Sequence, residues 1–385
     1  MFTLIKNGRV YAPENLGEKD ILLVGQTIAH IADTIDLPKS LSARCISAEG
    51  QIVTPGFIDL HVHIAGGGGE SPATRTPEIQ LSKIVKAGVT TVIGCLGTDN
   101  VTRTPESLLA KAVQLDEEGI STFIYTGTYQ VPPDTITGSV RKDIALIPKV
   151  VGIGELAIAD HRSSQPTYDE LCRIAAEARV GGMIGGKAGV VHLHLGSGAR
   201  GLTQIMRIVN ETEIPVGQFL PTHVSRSPEL LEQAIEFAKV GGNLDLTAET
   251  ENVDFLMPVK DAVSRLLEAG VPLGQLTISS DSNGSMPTFD EHGRLIKMGI
   301  GEIRNLYTAW KKLAMSAIPL EDALQLVTSN PAKRMGIFAQ KGTLEPGKDA
   351  DLVIFDDDLT MTTVIAKGRL MFHEGRLLAK GTFEE

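Results

Sequence analysis

One rhythm constrains this chain more than any other feature. After residue 50, short runs of β-branched and apolar residues alternate with longer segments whose apolar residues recur at helical spacing. The runs fall at 52–64 (in its second half), 90–97, 121–129, 151–160, 189–196, 219–226, 243–249 and 276–283, eight in all. Between them lie stretches such as PESLLAKAVQLDEEG, TYDELCRIAAEARVGG and SPELLEQAIEFAKVGG. Pro or acidic residues near their start and Gly at their end are helix start and stop signals. Strand then helix, eight times over, predicts parallel pairing, and eight units close a barrel. The expected fold is α/β, with a TIM-like (β/α)8 barrel.

The two ends read differently. Residues 1–50 and 342–385 carry short β-like pieces (FTLIKNGRVY, DILLVGQTIAHIA, ADLVIFD, MTTVIAKGRLMF) separated by turn formers. They predict one small β-sandwich domain (1–50 plus 342–385) beside a barrel at 51–341, whose closing helices occupy 301–336. A length of 385 residues accommodates this, since such barrels spend roughly 200–250 residues on one domain. Hydrophobic residues at 42% and charged residues at 22% are close to globular averages, which argues against disorder or a coiled coil.

The formal charge of −11 provides no field for phosphate backbones or anionic lipid, so neither nucleic acid nor membrane is an expected partner. Cys45, Cys95 and Cys172 are too few and too scattered for a disulfide framework or a thiolate zinc cage. With no leader profile and no apolar run of spanning length, a reducing cytoplasmic setting is the expectation.

In a parallel barrel, function gathers where strands end. That filter sorts nine histidines. The first run ends in Asp59-Leu60-His61-Val62-His63, and residues two apart on a strand share a face. The fifth ends in His192-Leu193-His194, the sixth carries His223, the eighth ends at Asp281, and Glu155 lies in the fourth. A single strand histidine is ordinarily a satisfied core group. Jointly, these imidazoles and carboxylates form a nitrogen and oxygen set suited to zinc or a similar divalent ion. Of His192 and His194, the latter is nearer the strand end and is the better ligand, leaving His192 to packing or to a place behind the ligands.

At these residues the chain resembles the amidohydrolase superfamily of metal-dependent hydrolases: TPGFIDLHVH at 54–63, the eight strand ends, and GTLEPGKDADLV at 342–353 carry the likeness. Further stretches, HVHIAGGGGE at 61–70, TGTY at 126–129, DHRS at 160–163, LPTHVSR at 220–226 and SSDSNGS at 279–285, are similar to its isoaspartyl (β-aspartyl) dipeptidase branch. The resemblance implies that His61, His63 and Asp281 hold one metal and His194 and His223 a second. A bridging carboxylate joins them. In the branch that bridge is a carbamylated lysine, whereas the matching position here is Glu155, whose carboxylate is three bonds closer to the backbone, or roughly 4 Å. Two zinc ions per chain, or one, follow from whether Glu155 reaches. The resemblance also implies a homo-oligomer.

The implied activity is hydrolysis of the β-linked amide of isoaspartyl dipeptides. A metal lowers the pKa of bound water toward about 7 and so supplies the nucleophile. Asp281 would take that proton to the leaving nitrogen, and Tyr129 would donate to the developing oxyanion. Glu70, closing the glycine run 66–69, suits an ammonium. Arg162 and Arg226 suit carboxylates, and Thr98 and Ser285 offer further hydrogen bonds. Two alternatives stay open: another amidohydrolase, such as a cyclic amidase or N-acyl amino acid deacylase, and a non-catalytic barrel serving as a scaffold.

Overall fold

The computed structural model describes residues 2–38, 40–250, 257–290, 292 and 294–385. All eight expected runs are strands: Phe57–Val62, Val89–Gly94, Ser121–Thr126, Val150–Ile158, Val190–Leu195, Phe219–Thr222, Leu244–Thr247 and Leu276–Ser279. The first six form one parallel sheet, and the seventh and eighth pair with each other. Side chains and loops join these two pieces. Between the sixth and seventh strands, Thr222 Oγ1 donates to Asp245 Oδ2 at 2.7 Å. Between the eighth and first, His63 N–H donates to the Ser282 carbonyl at 2.8 Å and Ser280 N–H to Asp59 Oδ1 at 3.1 Å.

Helices between the strands start where the sequence says. Thr104 and Thr167 cap Pro105–Glu118 and Tyr168–Gly185 with reciprocal capping boxes, and Gly119 and Gly186 end them in the left-handed conformation that glycine adopts without a Cβ penalty. Inside the barrel, Ile58, Leu60, Ile93, Tyr125, Val151 and Leu220 pack into a solid core. Among the described residues, no helix is long and apolar enough to cross a membrane.

The terminal strands form a nine-stranded mixed sheet. Ile52–Pro55, the first half of the earliest run, belongs to it and pairs with both Phe2–Tyr11 and Leu352–Phe355. The chain crosses into the barrel at Gly56, where a Cβ would lie 2.2 Å from Thr90 Oγ1. Leu352–Phe355 explains how the two parts hold together. Alternate residues face opposite sides of a strand, so Leu352 and Ile354 fill the sheet's own core while Val353 and Phe355 join the barrel's outer core. There Phe355 meets Trp310, the only tryptophan, with ring centroids 5.2 Å apart, and Trp310 meets Phe57 at 4.8 Å. Truncating Trp310 to alanine would cost about 3–5 kcal/mol by the usual scale for large core aromatics.

Candidate metal centre and substrate cavity

The C-terminal ends of the barrel strands bring His61, His63, Glu155, His194, His223 and Asp281 into one buried cluster. His61 and His63 sit at and just past the end of the first strand. His223 and Asp281 follow the sixth and eighth with φ of 63° and 50°, a left-handed backbone that non-glycine residues seldom adopt. Such outliers concentrate at functional sites, where surrounding contacts hold them in place.

Glu155 is the hub. Its Oε2 lies 3.1 Å from His61 Nε2 and 3.6 Å from His63 Nε2, and its Oε1 lies 2.8 Å from His194 Nδ1 and 3.3 Å from His223 Nε2. The short side chain therefore touches both histidine pairs. The backbone supplies the reach: where Val191 and Leu193 pair with Ile153 and Leu156, the fourth strand carries an extra residue. Such a bulge re-aims a side chain. Only glycine fits before it, since a Cβ on Gly154 would stand 2.7 Å from that of His192. Asp281 Oδ1 completes the first pair's surroundings, 3.3 Å from His61 Nε2 and 3.1 Å from His63 Nε2.

The cluster could hold a cation. His61 Nε2 and Glu155 Oε2 are both buried without a hydrogen-bond partner although they face each other. Unpaired buried polar atoms are costly, and a divalent ion between them would satisfy both. Charge tells the same story. Burial pushes the Glu155 carboxyl up, but positive charge on His61 and His194 outweighs it and holds the group well below the usual carboxylate range. Burial opposes charging of His63, yet Cys95 and Asp281 carry it up to about 10. His223, by contrast, is pushed down to about 3 by burial and Arg226. The acidic surroundings of His61 and His63 thus favour positive charge there, whereas His223 is disfavoured from carrying one.

A cavity of about 460 Å³ opens above the cluster, lined among others by Thr98, Tyr129, Arg162, Arg226, Asp281 and Ser285. Its size suits a small ligand. Tyr129 Oη lies 2.7 Å from His194 Nδ1, and burial followed by the charge on Glu155 pushes its pKa well above 10, so it remains a donor. Glu70 stands behind the lining. It accepts from Ser285 Oγ at 2.8 Å and from Arg162 Nη1 at 3.2 Å. The preceding glycine run makes this tight corner: Gly68 has φ +109°, and a Cβ there would lie 2.1 Å from the Thr74 carbonyl oxygen. Arg226 Nη1 donates to the Leu195 carbonyl at 2.6 Å.

Three features escaped the reading by strand ends. Asp160 Oδ2 lies 2.9 Å from His194 Nε2 and accepts from Arg162 Nη2 at 2.8 Å, linking a cluster histidine to the cavity. Its signal was its place, two residues before Arg162 past the fourth strand. Cys95, just after the second strand, lies beside His61, His63 and Glu155; sorting strand ends for histidine and carboxylate passed over it. The strand Ser285–Phe289, paired with Leu295–Ile300, lines the cavity, and Phe289 packs edge-on against His161 at 4.7 Å. His192 packs in the barrel, stacked on Tyr125 at 4.8 Å.

Comparison with known proteins follows the same lines. The model of the amidohydrolase family matches residues 52–371. A β-aspartyl dipeptidase from Fervidobacterium islandicum AW-1, solved in complex with β-Asp-Leu dipeptide, is 44% identical, covers 98% of this chain and 97% of its own, and superposes with a TM-score of 0.93. A D-hydantoinase at 18% identity covers 100% of this chain and 98% of its own with a TM-score of 0.70, a likeness of fold. A dihydroorotase from Aquifex aeolicus is 27% identical over 95% of this chain and 93% of its own length.

Proposed function

The chain belongs to the amidohydrolase family of metal-dependent hydrolases, and from that premise we propose that it is a zinc dipeptidase cleaving the β-linked amide of isoaspartyl dipeptides. The observation that carries this reading is the pairing of Glu70 with Arg162 beside the cluster, with Arg226 on the cavity wall. An isoaspartyl dipeptide presents one ammonium and two carboxylates around its scissile amide. One acid and two guanidinium groups match that pattern. The neighbour's bound β-Asp-Leu has the same chemistry.

His61, His63 and Asp281 would hold one zinc ion, His194 and His223 a second, and Glu155 would bridge them. A bound divalent metal acidifies water and polarises the scissile carbonyl. Glu70 then receives the substrate ammonium, exchanging part of its bond to Arg162 for a bond to substrate. Arg162 and Arg226 orient the carboxylates, with Thr98 and Ser285 adding hydrogen bonds. Asp281 is ionised: burial pushes its carboxyl up, but His61 and His63 outweigh burial and hold it far below the usual range. It accepts the proton of the attacking water at a carboxylate oxygen and returns it to the departing nitrogen. Tyr129 Oη donates to the developing oxyanion.

Parallel assays with β-Asp-Leu, hydantoins and N-acetyl amino acids test the substrate class. Turnover of β-Asp-Leu well above the other two is expected. Efficient turnover of a cyclic amide without any of β-Asp-Leu would move the chain to the activity suggested by its dihydroorotase relatives.

A further inference from the structure

We infer that Cys95 is a metal ligand: its sulfur joins His61 and His63 on the first ion, giving that site a thiolate beside the shared Glu155. The inference rests on the metal-centre reading above and deepens it. Cys95 follows the second barrel strand, and its N–H donates to the Val62 carbonyl at 3.0 Å, which sets it level with the end of the first strand. Residues two apart share a face, so Cys95 points where Ile93 points, into the barrel, and both belong to the same interior cluster. It is fully buried.

Its surroundings are not those of a packing residue. The Cys95 sulfur and the candidate ligand atoms of His61, His63 and Glu155 all lie within 4.8 Å of one another. At a near-tetrahedral angle, Zn–S near 2.3 Å and Zn–N near 2.0–2.1 Å separate S and N by about 3.6 Å, so small side-chain rotations would bring the sulfur onto the ion proposed for His61, His63 and Asp281, as a further ligand. Independently of the cysteine, His61 Nε2 and Glu155 Oε2 are buried and lack hydrogen-bond partners. These atoms call for a cation at the same spot. When the ion binds, the S–H proton leaves to solvent and the sulfur donates its freed pair to the metal. A thiolate favours zinc, cobalt or cadmium over manganese or magnesium, which gives the choice of zinc a basis in this chain's own residues.

The test uses the full-length Cys45→Ser/Cys172→Ser protein, stripped of metal, so that Cys95 is the sole thiol; the other two cysteines lie outside the cluster. It is titrated with Co2+ alone and followed by absorption. The expected result is a sulfur-to-cobalt charge-transfer band in the near ultraviolet alongside the visible bands of bound cobalt. Adding Cys95→Ser should remove the charge-transfer band, keep the visible bands, and weaken zinc binding at least ~10-fold, since losing a ligand should cost no less than losing a partner outside it. Bound cobalt without the charge-transfer band overturns the thiolate ligand and leaves the metal centre standing. A protein that takes up no cobalt overturns both. The first measurement needs no change at Cys95, so a poorly folded variant would not obscure it.

Discussion

Two carboxylates buried in the same barrel, Asp245 and Glu155, are surrounded in opposite ways. Asp245 accepts from three hydroxyls, Thr222 at 2.7 Å, Thr277 at 2.7 Å and Ser279 at 2.5 Å, which tie the sixth, seventh and eighth strands together. Burial pushes its pKa up, and the hydroxyls only partly oppose that. Glu155 faces four imidazoles, keeps one oxygen without a hydrogen bond, and is held well below the usual range. Burial is common to both, so burial does not mark function. What separates them is whether the donors already present complete the shell. Asp245 is finished by the protein, whereas Glu155 keeps a buried oxygen without a hydrogen bond, which the proposed metal would satisfy.

The largest effect that would sharpen this contrast is at Glu155. Glu155→Gln keeps the shape and removes the charge, and kcat/KM for β-Asp-Leu should fall about 1000-fold or more, some 4 kcal/mol. Elemental analysis should find less bound metal. Unchanged metal and kinetics would break the comparison outright. Next is Tyr129→Phe, which should lower kcat about 100-fold with little change in KM or metal content, as for loss of one oxyanion donor. A pure KM effect would reassign Tyr129 to substrate binding.

Asp245→Asn should do the reverse of Glu155→Gln. Two or more hydroxyl bonds are weakened, so unfolding in denaturant should come about 1–3 kcal/mol easier, while turnover per bound metal stays near that of the parent. If turnover fell as steeply as stability, Asp245 would belong to the functional group after all.

The smallest effect is the sign of a pH slope in the metal-free protein. The folded pKa of Glu155 is depressed, so its stabilisation is present above the unfolded value near 4.3 and is lost as pH falls through the folded pKa. The folded pKa of Asp245 is raised, so its favourable contribution is present below the unfolded value near 3.9 and is lost as pH rises through the folded pKa. Thermal unfolding against pH, compared between parent, Glu155→Gln and Asp245→Asn, should give difference curves of opposite slope. Slopes of the same sign would contradict the opposite directions in which the two carboxyl groups are shifted.

Much of this arrangement was legible in the chain. His61 and His63 could be read because period two on a strand is a local rule, and Asp281 because strand ends carry function in this architecture. Asp160 and Cys95 were harder. A carboxylate after a strand and a cysteine in an apolar run are ordinary until His194 Nε2 is found 2.9 Å from one and His61 beside the other. The β-like piece around Leu352–Phe355 marked a strand, yet not that one of its faces meets Trp310.

The sequence by itself determined the strand and helix order, the barrel end at which the candidate ligands gather and the chemical type of each side chain, because periodicity, caps and residue type are local properties. Tertiary structure alone decided whether Glu155 reaches both histidine pairs. That depends on one extra residue in the fourth strand measured against the fifth, a register that exists only once the two strands lie side by side.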